Sequence, residues 1–96
     1  MSPTMIRAVV LYEGDVDPQR YAEHLPIARR VPADAFRHGS VFGAPFGEPA
    51  HRYYAEFEWS DRAAFDAAIS SEEWLDSGKD AMAMGVKFAV EFVELD

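Results

Sequence analysis

The side chains here that exchange a proton near neutrality without unusual tuning are three histidines, since the chain holds no cysteine. His24 stands in the run RYAEHLPIARR, where Tyr21, Leu25 and Ala28 recur at helical spacing. An imidazole placed beside that apolar stripe can point inward and act as a general base or acid. Tyr12, which ends the first apolar run, and Tyr54, in YYAEFEW, can supply hydroxyls to a carbonyl or phenol oxygen. Together these three residues suit proton transfer at a carbon next to a carbonyl, the oxygen being polarised by a phenol. Each also has a plainer reading: a lone histidine on an apolar stripe is more often a hydrogen-bonded structural residue, and a tyrosine often completes a core while its hydroxyl reaches water.

The remaining candidates point elsewhere. His38 and His51 flank a loop rich in Gly and Pro and are expected in solvent, from which either could approach a pocket mouth. No two histidines have the spacing of a zinc helix, so metal binding is not expected. Glu56 and Glu58 alternate on one strand face and are read as structural charges that limit unwanted association rather than as a catalytic pair. Trp59 and Trp74 read as core, Trp74 with the option of walling an aromatic ligand. The run AMAMG reads as helix packing, without haem-ligand spacing. Neither G-x-G-x-x-G nor a P-loop is present, and no cofactor is expected.

These residues must be positioned by a small set of elements. MIRAVVLY, residues 5–12, reads as a strand that runs into a turn at Glu13–Asp15. Asp17 followed by Pro18 is a helix start, a side-chain acceptor at the N-cap and a proline where the missing N–H is harmless. Pro26 then cannot donate to the Ala22 carbonyl and predicts that the helix bends or loosens around His24, while Arg20, Glu23 and Arg30 are expected to point mainly outward. A second strand is expected between Asp34 and Phe42, before the turn-rich GAPFGEPA. HRYYAEFEW, residues 51–59, sets Tyr53, Ala55, Phe57 and Trp59 against Tyr54, Glu56 and Glu58 and is the cleanest strand pattern. Ser60 is the expected cap of a helix starting at Asp61, interrupted at Ser70 and Ser71. A further helix restarts at Glu72, with a break at Gly78 allowed, and ends at Gly85. Val86–Leu95 alternates as a last strand.

The order is βαββαβ, an α+β ferredoxin-like sandwich: a four-stranded antiparallel sheet with its helices on one face. Val9, Leu11, Ala89 and Val93 then fall on the other face, which the chain itself leaves uncovered. An apolar face of that kind marks an interaction surface, and a second copy is the simplest cover.

Composition narrows the partners. With 96 residues, 49% of them hydrophobic, the chain suits one compact domain, residues 1–96. Its formal charge of -8 repels phosphate backbones, so nucleic acid is not an expected partner. No run reaches a membrane span and the opening residues lack a secretory leader pattern, so a cytoplasmic protein without membrane association is expected.

IRAVVLY, RYAEHLPIARR with its HLPIA centre, YYAEFEW followed by DRAAFDAAISSEEW, and VKFAVEFVEL together resemble the EthD-like group of the dimeric α/β-barrel superfamily over nearly the whole chain. The His-x-Pro of the first helix is the most specific of these features. The resemblance implies a homodimer whose two sheets pack face to face as a barrel, with a pocket in each subunit between sheet and helices, and it makes His24 the family's recurrent pocket histidine. Superfamily members include cofactor-free oxygenases, polyketide cyclases, lactone isomerases and haem-degrading enzymes. The expectation is therefore a small-molecule protein for an apolar, aromatic or polyketide-like ligand. It is either a cofactor-free oxygenase, cyclase or isomerase using His24, Tyr12 and Tyr54, or a non-catalytic binding dimer.

Overall fold

The computed structural model describes residues 4–96 of the chain. Its elements are β1 (Met5–Tyr12), α1 (Pro18–Ala28), β2 (Ala35–Ser40), β3 (Tyr53–Trp59), α2 (Arg62–Ile69), α3 (Glu72–Ala83) and β4 (Phe88–Leu95). The strands form one antiparallel sheet in the order β2-β3-β1-β4, the ferredoxin-like arrangement expected.

The register shows how alternation becomes a two-faced sheet. In β1, Ile6, Ala8, Val10 and Tyr12 are buried and the residues between them only half-buried. Ala8 pairs with Phe57 and Phe92, Val10 with Ala55 and Val90, and Tyr12 with Tyr53 and Phe88, so this face carries the aromatic core. Tyr21 and Ala28 of α1 and Phe65 and Ala68 of α2 complete it.

The helix ends follow local chemistry. Asp17 accepts a hydrogen bond from the Gln19 N–H at 3.1 Å and Pro18 opens α1, as the sequence implies. α1 runs as one helix through Pro26 to Ala28, with the Ala22 carbonyl lacking the donor that Pro26 cannot supply. The cap of α2 is Asp61, not Ser60: its carboxylate accepts from the Ala64 N–H at 2.7 Å, while the Ser60 N–H is used by Asp34 at 2.6 Å. Ser71 caps α3 through the Trp74 N–H, with Glu72 and Glu73 in the favourable first turn. Gly78 does not break α3, which continues to Ala83, and Gly85 follows with a φ of 75°, where a side chain would be strained.

The opposite sheet face has no helix over it and is more charged than the apolar alternation suggests. Val9, Leu11 and Val93 share it with a network at the level of β2 and β3. Arg7 donates two bonds to Glu58, at 3.1 and 3.0 Å, Arg37 donates to Glu56 at 2.6 Å, and the Tyr54 hydroxyl donates to Glu56 at 2.7 Å. Glu56 is only 7% exposed on this uncovered face, hidden by its own partners. Burial, the largest influence on it, pushes its carboxyl up, but the bonds from Tyr54 and Arg37 and the charge of Arg7 outweigh burial and hold it below the usual range. No helix among the described residues is long and apolar enough to cross a membrane.

Candidate functional site

Between the helix-facing side of the sheet and helices α1 and α3 lies a cavity of about 280 Å³. Val10, Tyr12, Ala55 and Phe57 form its floor, Tyr21 and His24 come from α1, and Trp74, Ser77, Gly78 and Ala81 come from one face of α3. Their positions along α3, at intervals of three and four, are the helical spacing that puts one stripe against the sheet. Phe88, Val90 and Phe92 of edge strand β4 close the ring, and Val90 and Phe92, 40% and 54% exposed, mark the side on which it opens. Space survives here because the α3 lining beyond Trp74 is small, Ser77, Gly78 and Ala81: an added Cβ on Gly78 would meet nothing within 4 Å.

His24 is 3% exposed, with its Nδ1 2.8 Å from Asp80 Oδ2. Arg20 grips the same carboxylate from one turn earlier in α1, at 2.9 Å to Oδ1 and 3.2 Å to Oδ2. The hydrogen bond from Arg20, the largest influence, exceeds the upward push of burial and, with the smaller contribution from His24, holds the Asp80 carboxyl below its usual range. An ionised carboxylate only accepts, so Nδ1–H donates to Asp80, and in the neutral imidazole the lone pair is then on Nε2. Nε2 has no hydrogen-bond partner among the described residues, and the ring lines the cavity. The arrangement is that of a base held in one tautomer by a carboxylate behind it.

Two phenols stand beside the imidazole. The Tyr12 and Tyr21 rings meet edge-on with centroids 5.9 Å apart, and the Tyr21 ring lies 5.4 Å from that of His24. Burial pushes the Tyr12 hydroxyl up to about 12 and raises Tyr21 as well, so both stay neutral donors. The two hydroxyls influence one another, yet no bond between them meets hydrogen-bond geometry, and the buried Tyr21 hydroxyl has no partner among the described residues. Aromatic rings wall the apolar part: Phe57 packs on Trp74 at 5.4 Å, Trp74 on Phe92 at 6.2 Å and Phe36 on Phe57 at 4.7 Å.

Of the residues singled out in the sequence, His24 and Tyr12 share this cavity. Tyr54 does not: it lies on the opposite sheet face, bonded to Glu56, with the sheet between it and His24. His38 is not in open solvent as expected. It sits half-buried on the helix-facing side of β2, its Nδ1 2.7 Å from the Tyr53 hydroxyl, and burial lowers its pKa. His51 is half-buried just before β3. Trp59 is core, and Trp74 walls the cavity. Tyr21, Asp80 and Arg20 were not among the expected site residues, and Arg20 turns along the seam between α1 and α3 rather than outward. No group of three or more His, Asp or Glu side chains among the described residues is placed to hold a metal ion.

No family model matches the sequence, and no curated protein matches it. Solved structures do. An EthD family protein from Bacillus halodurans superposes with a TM-score of 0.79 at 26% identity, over 96% of this chain and 99% of its own. The chain is EthD-like. A dimeric ferredoxin-like protein of unknown function from Jannaschia shares the fold with this EthD-like chain at a TM-score of 0.71 and 22% identity, over 96% and 98% of the two chains. So does a hydroxynitrile lyase from Passiflora edulis, at a TM-score of 0.74 and 15% identity, over 98% and 95%.

Proposed function

We propose that this EthD-like protein binds an apolar, aromatic or polyketide-like small molecule in the cavity between sheet and helices and moves a proton on it without a cofactor. His24 Nε2 takes the proton from a carbon next to a carbonyl, and the Tyr12 hydroxyl donates to the oxygen on which charge develops. The reaction class is that of an oxygenase, cyclase or isomerase that begins with carbanion or enolate formation. One observation carries this reading: a buried imidazole whose Nδ1 side is fixed by an ionised Asp80 faces an apolar cavity next to neutral phenols. In water-poor surroundings a hydrogen-bond donor at the oxygen is worth more than in solvent, which favours the enolate. A hydroxynitrile lyase of the same fold supports the reading that such a frame can host small-molecule catalysis.

A second copy covers the open sheet face, bringing Val9, Leu11, Val93 and the Arg7–Glu58 and Arg37–Glu56 pairs into a barrel interior. The description of the Jannaschia neighbour as dimeric supports this, and a sedimentation mass of two chains is the expected result. The wide opening beside Val90 and Phe92 favours one alternative, a binding dimer in which His24 only orients the ligand.

Gly78→Leu tests occupancy of the cavity. Its new side chain enters open space at the cavity wall and replaces the poorest helix former of α3, so the variant should fold at least as stably. Binding of a bicyclic aromatic ketone, 2-tetralone, followed by tryptophan fluorescence, should be lost. Unchanged binding would place the ligand elsewhere.

A further inference from the structure

We propose that Arg20 is a positioning residue for His24, acting through Asp80 to keep the imidazole in the tautomer that presents a bare Nε2 to the cavity. The proposal rests on the reading of His24 as the proton-transferring base.

Asp80 is anchored by one side chain and oriented for another. Its Oδ1 accepts from Arg20 at 2.9 Å, its Oδ2 from Arg20 at 3.2 Å and from His24 Nδ1 at 2.8 Å, and its backbone carbonyl from Arg20 at 3.4 Å. The guanidinium therefore spans both carboxylate oxygens and the main chain of the same residue, a fork that fixes the plane of the carboxylate as well as its place. The Asp80 side chain is 20% exposed and that of His24 is 4% exposed. A carboxylate with a route to water, freed from the fork, gains hydration by rotating outward, whereas the buried imidazole cannot follow it. The bond to Nδ1 then weakens and the two neutral tautomers approach equal population. Tyr12 from β1 and Tyr21 from α1, the polar side chains on the sheet side of the ring, are neutral phenols and do not replace a carboxylate in this role.

The chain thus spends one residue from each of two helices on a single ring. Arg20 and His24 are one helical turn apart, so the fork and the imidazole leave α1 on the same side and meet Asp80 on α3. This explains a half-buried arginine where the helical pattern alone would turn it to solvent.

The test is the ¹⁵N spectrum of His24 in the ligand-free protein, above the pH at which its imidazole is neutral. The native chain should show Nδ1 protonated and Nε2 bare, by about tenfold or more over the other tautomer. Arg20→Met should bring the two forms to comparable populations, with circular dichroism unchanged. Arg20→Lys, which keeps the charge without the fork, should fall between them and serves if the methionine variant folds poorly. Wild-type tautomer ratios in both variants would overturn the proposal. The measurement involves no substrate: a shift of tautomer with a catalytically silent His24 would leave Arg20's role standing while the proposed function fails. An unshifted tautomer with a catalytically essential His24 would do the reverse.

Discussion

The Nδ1 of His24 and the Oδ2 of Asp80 stand 2.8 Å apart across the seam of α1 and α3, joining residues 56 positions apart in the chain. Under the proposed function, that contact is what orients the buried histidine as a base. Asp80→Asn keeps the shape but offers an amide whose N–H₂ and oxygen can face the ring equally well, so the Nδ1–H tautomer loses its preference. Proton transfer should slow by about 10²-fold or more, with ligand affinity changed little. Rates within a few-fold of the native protein would show that the carboxylate does not orient the ring.

Tyr21 carries a buried hydroxyl without a partner among the described residues. An unsatisfied buried hydroxyl is unfavourable, so Tyr21→Phe should leave stability unchanged or raise it by about 1 kcal/mol in urea unfolding of the ligand-free protein. A loss of that size would mean that the hydroxyl is satisfied within the fold. The same variant keeps the ring contacts with Tyr12 and Tyr53 that pack α1 on the sheet, and the contact with His24 within α1.

Asp80 and Glu56 lie on opposite sides of the sheet, and both have folded-state carboxyl groups held below the ordinary range, Asp80 chiefly by Arg20, and Glu56 by Tyr54 and arginines against burial. A carboxyl depressed in the folded state binds its proton more readily in the unfolded chain. Its stabilisation is therefore complete above the ordinary carboxyl range and is lost as pH falls through the depressed folded value. Acid unfolding of the native chain should steepen below about pH 4. Asp80→Asn with Glu56→Gln should flatten that dependence, measured as urea midpoint against pH. An equally steep curve in the double variant would assign acid sensitivity to other carboxylates.

Much of the fold was legible because it depends on short-range periodicity. The alternation of Tyr53, Ala55, Phe57 and Trp59 and the Asp17–Pro18 start appear in the structure where the sequence puts them. The cap of α2 was misplaced by one residue because Ser60 and Asp61 are both competent caps, and the choice fell to Asp34, which takes the Ser60 N–H. Pro26 removes one donor near the end of an 11-residue helix, and α1 continues past it to Ala28. The site was legible only as far as single elements carry it. His24 and Tyr12 could be found because each faces inward within its own helix or strand. Asp80 is one of seventeen acidic residues and lies on a mixed helix, so nothing local marks it. Its meeting with His24 and Arg20 is set by how α1 packs on α3, which no spacing encodes. Tyr54 failed to join the site for the opposite reason: strand alternation, read correctly, puts it on the far face.

Whether His24 moves a proton on a ligand in the cavity is read by deuterium uptake into 2-tetralone in D₂O, followed by proton NMR. The protein should accelerate exchange at the carbon beside the carbonyl. His24→Ala should abolish the acceleration while its circular dichroism and ketone binding persist. Exchange that proceeds at the native rate in His24→Ala, or that the native protein does not accelerate at all, would contradict proton transfer by His24.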